Sequence, residues 1–360
     1  KPITTMNKNQ YRLVFNRARN MLMVVSECVK SHAAGSNTSA ATSSPATRMD
    51  IGLQGCLFNN DSNATAIKLR PLAFSLLLAL GLVGFIPNAL TVLAAQADPV
   101  GIIADTAAPA NQRPIVLNAA NGVPLVNIQT PSAAGVSRNT YSQFDVNSQG
   151  VILNNSRSNV QTQLGGFVQG NPYLATGTAR IILNEVNSAN PSYLNGYVEI
   201  AGSRAQVIIA NPAGISCNGC GFINANRVTL STGTPMINAG DLLGYRVGGG
   251  VIHFLGNGLD VSQANYTDII ARAVNVNAGI WAQHLNVVTG SNQVNIASNG
   301  DIAGISPISP NAGGSVPAFA VDVAALGGMY AGKIHLIGTE AGVGVRNAGE
   351  IGASAGAGVS

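Results

Sequence analysis

Gln206-Val-Ile-Ile-Ala-Asn-Pro-Ala-Gly-Ile-Ser-Cys-Asn-Gly-Cys-Gly-Phe-Ile-Asn224 is the stretch from which the fold is read. Val207, Ile208 and Ile209 form a short β-branched run, and a second run begins at Phe222, so the segment is expected to be strand, sharp turn, pinned loop, strand. The corner is chemical. Pro212 fixes its own φ and removes a ladder donor, Asn211 can hydrogen-bond locally, and Gly214 can take positive φ.

Working outward, the same plan recurs. Ala225-Asn-Arg-Val-Thr-Leu-Ser-Thr-Gly, Ala271-Arg-Ala-Val-Asn-Val-Asn-Ala-Gly, Ala282-Gln-His-Leu-Asn-Val-Val-Thr-Gly and Ala331-Gly-Lys-Ile-His-Leu-Ile-Gly-Thr share one register. A small residue, a polar pair and then apolar-polar-apolar before a turn is one strand of a coil, repeated. No amphipathic helical stretch is long enough to cross back over a sheet, which argues for a solenoid over a doubly wound fold. About ten rungs of 20 to 25 residues are expected, with Val and Ile inside and Asn and Thr at the corners. Asp98 to about Thr130, rich in Pro and Asn, reads as a cap for the first rung. The run from Gly342 reads as a rung cut off in mid-pattern, so a longer filament is expected beyond it.

The net charge of +4 is unevenly placed. Residues 1–97 hold nine Lys and Arg against three acids, a balance of +6, which leaves −2 for the rest. The basic character belongs to the N-terminal segment and gives no reason to expect a nucleic-acid partner. That segment carries two basic-then-apolar patterns. Met6 to Glu27 is the first, with Lys1–Thr5 read as upstream of the start. In the second, Lys68 and Arg70 precede an apolar run over 72–86, then Pro87, then Ala95-Gln96-Ala97. The run is too short for a spanning helix, so it reads as a secretory signal cleaved between Ala97 and Asp98. Residues 1–97 are thus an extended signal peptide and 98–360 the exported domain.

Four spaced motifs carry a family resemblance. Asn121-Gly-Val-Pro-Leu-Val-Asn-Ile, Val151-Ile-Leu-Asn-Asn-Ser, Asn171-Pro172-Tyr173-Leu174 and Asn211-Pro212-Ala213-Gly214-Ile215 resemble, in order, the secretion domain of very large bacterial proteins exported by two-partner secretion. Met6 to Glu27 looks like their extended signal region. The family's turns are usually Asn-Pro-Asn-Leu and Asn-Pro-Asn-Gly-Ile; here Tyr173 and Ala213 replace the middle Asn and the Asn-Pro corner is kept. Cys217-x-x-Cys220-Gly-Phe-Ile-Asn and Ala325-Leu-Gly-Gly-Met-Tyr-Ala-Gly-Lys-Ile are most similar to the filamentous haemagglutinin and contact-dependent growth inhibition toxin branch. The resemblance implies a right-handed parallel β-helix and no cofactor. It implies as partners an outer-membrane TpsB-type β-barrel transporter with periplasmic POTRA domains, and the Sec machinery. The full-length protein would meet a host or neighbouring-cell surface. The two turns are the implied elements of transporter recognition and folding.

Cys28 and Cys56 lie in the N-terminal segment, so Cys217 and Cys220 are the thiols of the exported domain. An oxidising exterior favours a disulfide between them. Zinc, a redox-active pair and free thiols are the alternatives, but His253, His284 and His335 are not at ligand spacing and no helix follows the first Cys.

For catalysis, Asp241, Asp260, Asp268, His253 and Arg272 are the densest group, and their plain reading is solvated corner residues. Three functions follow. The first is a secretion-targeting and folding-nucleation domain; the second is direct adhesion or haem-carrier binding; the third is a carbohydrate-active enzyme, which would need an aromatic-lined groove with paired carboxylates.

Overall fold

The computed structural model describes residues 11–16, 21–26, 101–311 and 315–354. Two compact units divide the chain near Ala89. In the first, Tyr11–Asn16 and Met21–Ser26 pair antiparallel, Tyr11 opposite Ser26, where a targeting pattern alone gave no reason to expect strands. The apolar run 72–86 and the Ala97–Asp98 cleavage site lie outside the described residues.

The second unit is a parallel β-helix with three faces. Face A stacks Val136–Phe144, Ile181–Val186, Ala205–Ala210, Ala225–Ser231 and Tyr266–Ala271, then 284–289 and 333–338. Face B stacks Ser192–Leu194, 215–218, 251–255, Ala273–Val276, Phe319–Val323 and Gly344–Asn347. Face C begins with Pro124–Asn127, Val151–Asn155 and Tyr197–Gly202, continues through 220–223, 259–261, 279–282 and 328–331, and ends at Glu350–Ala353. The chain visits A, B and C in turn. Among the described residues there is no α-helix.

Coil length follows from the register. Ile181 lies beside Gln206, Gln206 beside Arg227 and Thr267 beside Leu285, offsets of 25, 21 and 18 residues. The other coils are longer, Arg227 to Tyr266 being 39 and Leu285 to Ile334 being 49, because the chain leaves the helix to build hairpins. Face A accordingly has seven strands among the described residues, fewer than the ten rungs expected from a uniform repeat.

Two of those hairpins explain why face A is apolar on both sides. Thr234–Asn238 with Asp241–Val247, and Asn292–Ile296 with Ile302–Pro307, join through 244–247 and 292–295 into one four-stranded antiparallel sheet. Val207, Ile209, Val228 and Leu230 point into the coil with the main core. Ile208, Ala210, Ile270 and Val288 point outward and pack against Leu242, Tyr245, Val247 and Val294 of the outer sheet. Side chains alternate along a strand, so Val-Ile-Ile-Ala fills two cores at once, and a strand covered on both sides reads as a continuous apolar run.

The N-terminal cap is present. Ile102–Ala104 pairs antiparallel with the far end of Val136–Phe144, and Ile115–Asn118 pairs antiparallel with Pro124–Asn127. A third hairpin, Val160–Thr162 with Gly166–Val168, covers the outer side of face C, where Val168 packs with Leu125 and Ile152.

The repeats found in the sequence do not all share a face. Val228, Leu285 and Ile334 occupy equivalent positions on face A. Val274, aligned with them by pattern, stacks between Ile252 and Val321 on face B, and the true face A strand of that coil is Tyr266–Ala271. Apolar-polar-apolar is the signature of any rung strand, so pattern alone does not tell the faces apart.

Candidate functional site

Both Asn-Pro corners are held by their asparagine. Asn171 is buried; its Oδ1 accepts from the Tyr173 amide at 3.0 Å and its Nδ2 donates to the carbonyls of Ile128 and Asn154, each at 2.9 Å. Asn211 repeats the scheme. Its Oδ1 accepts from the Ala213 amide at 2.9 Å, and its Nδ2 donates to the Asn190 carbonyl at 2.9 Å and to Ser192 Oγ at 3.0 Å. Each side chain closes its own turn and reaches the preceding coil. Pro172, Pro212 and Ala213 are exposed, whereas Leu174, Gly214 and Ile215 are buried.

The segment expected as a pinned loop is a bent strand, Ile215–Ile223, that crosses from face B to face C. Its register shifts between Asn218 and Cys220, where Gly219 takes φ 77°. Cys217 and Cys220 are both buried, with bonded sulfurs and Cα atoms 5.4 Å apart. The corner sulfurs point inward, and Asn218 at the apex is exposed.

The titratable group singled out by density does not assemble. Asp241 belongs to the outer sheet, His253 to face B, and Asp260 to face C, where Oδ1 caps Ser262. Asp268 and Arg272 are not solvated corners. Asp268 is 1% exposed and accepts from Arg227 Nε at 2.7 Å, while Arg272 donates to both oxygens of Glu340 at 3.0 and 2.7 Å. Burial works against the Arg227 cation, but Asp268 and Asp301 more than offset it, and its pKa is raised. Arg227 also donates two bonds to Asp301 Oδ1, both 2.9 Å, and lies 4.8 Å from the Tyr266 ring centroid. This network lines a cleft of about 410 Å³ between face A and the outer sheet. Sequence reasoning missed it, because Arg227 and Asp268 are 41 residues apart and meet only through rung register.

Known proteins match both parts of the chain. Residues 6–52 match the family model described as Extended Signal Peptide of Type V secretion system, and residues 100–359 match the TPS secretion domain. Toxin CdiA of Yersinia pestis is 55% identical over 353 residues, 98% of this chain and 10% of that protein. The tRNA nuclease CdiA-2 of Burkholderia pseudomallei is 44% identical over 354 residues, again 98% and 10%. This chain thus spans about a tenth of the length of those curated relatives. The crystal structure of filamentous hemagglutinin secretion domain is similar at a TM-score of 0.64 and 33% identity, over 72% of this chain and 86% of that one. The three-faced coil, the two family models and these relatives agree with one another, and the chain belongs to the TPS secretion domain family of exported, cell-surface proteins.

Proposed function

We propose that this domain targets a long exported protein to an outer-membrane TpsB-type β-barrel transporter and nucleates its folding outside. The Sec machinery would carry the chain across the inner membrane, with the signal removed between Ala97 and Asp98. The periplasmic POTRA domains would then take up the still-extended chain. No ATP is available beyond the inner membrane, so the free energy of coils folding at the surface gives movement its direction; a solenoid nucleates locally and propagates rung by rung. The relatives named as a toxin and a tRNA nuclease match only in this N-terminal tenth, so any such activity of the whole protein belongs to the part beyond this chain, delivered at a host or neighbouring-cell surface.

The observation that carries the reading is the geometry of Asn171 and Asn211. Each buried amide ties its own turn to the coil before it, as a nucleus for stacking requires. In this reading residues 171–174 and 211–215 are the recognition and nucleation turns, the bonds supporting the nucleation part, and the Cys217–Cys220 link shapes the B–C corner locally. The enzyme reading finds no support in Asp241, Asp260 and Asp268, which stand on different faces.

The test is secreted yield with the partner barrel co-expressed. Asn171→Ala removes the donor to the buried Ile128 and Asn154 carbonyls, at about 1–3 kcal/mol each, and Asn211→Ala removes the donor to the Asn190 carbonyl and the Ser192 hydroxyl; the double variant should cut export several-fold and slow refolding, while Asp260→Ala should change neither. Full export of the double variant overturns the assignment.

A further inference from the structure

We propose that face C carries a binding groove for a short neutral oligosaccharide. Tyr197, Gly221, Asp260, Trp281, Tyr330 and Gly352 are successive register partners, one per coil, and so form a row on one side of the sheet. Rungs are spaced by about 4.8 Å, so Tyr197 to Trp281 spans ~14 Å. Tyr197 is 40% exposed and Trp281 44%.

Glycines shape how these rings are displayed. A Cβ on Gly221 would fall 2.3 Å from Tyr197 Cε1, one on Gly279 2.4 Å from Trp281 Cη2, and one on Gly328 2.6 Å from Tyr330 Oη. In all three places the missing side chain lets a ring lean against the sheet. Trp281 and Tyr330 stack at 6.2 Å between centroids and 18° between planes. The result is a row with the Tyr197 ring toward one end, the Trp281–Tyr330 pair toward the other, and the Asp260 carboxylate between them.

Beside Tyr197 and Asp260 runs a groove of about 1120 Å³, walled on one side by the hairpin 160–168. Its polar lining is dominated by carboxamides, of which Asn224 already donates to the Ile200 and Gly202 carbonyls and Gln283 to the Ser262 carbonyl, while Gln163 and Gln263 face the groove uncommitted. Glu199 is committed, since its two oxygens accept from the amides of Gln163 and Leu164 at 2.7 Å. Arg204 donates to the carbonyls of Ala225 and Gln263. Asp260 Oδ2 and the side chains of Gln163 and Gln263 make no hydrogen bond to protein among the described residues.

A ligand that fits must offer an apolar flat side to the rings and paired donor-acceptor groups to the amides. A carboxamide presents a donor and an acceptor side by side, as vicinal hydroxyls do, and an aromatic ring gives the C–H side of a pyranose a surface to cover. The groove's cation is already engaged, which disfavours phosphate or sulfate. An extended peptide adding to a sheet edge is disfavoured as well, because Tyr197–Gly202 is paired on both sides, with Val151–Asn155 and with 221–223. Hydrolysis would need a second available carboxylate at about 5–9 Å, and Glu199 is spent, so the groove binds without cleaving.

Trp281 is the single tryptophan of the chain and reports on the row by its emission. The full chain is titrated with maltohexaose, cellohexaose, chitohexaose and mannohexaose, and with decaproline as the rival ligand for an aromatic row. One hexaose should give a saturable change, with Kd raised about three- to tenfold in Tyr197→Ala, raised also in Asp260→Asn, and restored in Tyr197→Phe. Tyr266→Ala, on face A, should leave it unchanged. No saturable response to any hexaose, an unaltered Kd in a folded Tyr197→Ala chain, or a response to decaproline instead would overturn the proposal.

Discussion

At Asn171 the chain leaves face C through a 3-10 turn, Pro172–Leu174, and does not begin its next strand until Ile181; at Asn211 it leaves face A and begins the next strand at Ile215. The Asn side chains bond in the same way in both corners. The segments beyond them differ. At the first corner Leu174 is driven into the main core, fully buried, and the chain takes a long path around it. At the second Gly214 takes φ 118°, and the strand restarts almost at once. An Asn-Pro pair thus sets a corner, and the residue in the fourth position decides whether it is anchored by packing or by backbone conformation.

Leu174→Ala should be the most damaging probe of that difference. It removes a fully buried side chain and should cost about 2–5 kcal/mol, read as a fall in the denaturation midpoint without a change in slope. A cost below about 1 kcal/mol would mean that the first corner, like the second, owes little to packing in its fourth position. Gly214→Ala is the converse. Its Cβ would meet the Val251 carbonyl at 3.1 Å in a backbone region that L-residues avoid, so about 1–3 kcal/mol should be lost. Hydrogen exchange should then rise around Ile215 and stay unchanged around Leu174. The smallest effect is expected for Ala213→Asn, which restores the family's usual middle residue at an exposed position and should stay within about 0.5 kcal/mol. A larger change in stability would show that the third position does more than span the corner.

Much of this was legible locally. Pro212, Gly214 and the apolar run before them specified a strand and a corner, and Val228, Leu285 and Ile334 announced a shared position in the coil. Asn171 and Asn211 were recognisable because their function as turn residues is short-range. Three things were not legible, for one physical reason. The face to which Val274 belongs, the burial of Asp268 with Arg227, and the aromatic row from Tyr197 to Tyr330 all depend on which residue lies one rung above another. That register depends on how far each coil is lengthened by a hairpin, and the hairpins obey no repeat. The bent strand through Cys217 and Cys220 was missed for a different reason: Asn218-Gly219 looks like a loop, yet in a coil a corner can be turned without leaving the ladder.

The outer antiparallel sheet has a consequence in time. Stacking one regular coil on the next asks the chain to close over 18 to 25 residues, whereas Gly244 finds Asn295 only 51 positions later. The extra loop closure costs only ~0.8 kcal/mol, but the partner must exist before it can be met, and every coil between them can stack first. Until then Ile208, Ala210, Ile270 and Val288 have only the first hairpin, with Leu242, Tyr245 and Val247, to cover them. During that interval the molecule is ordered, compact and sticky on one side, and a neighbouring chain caught in the same state would be the likeness it sticks to.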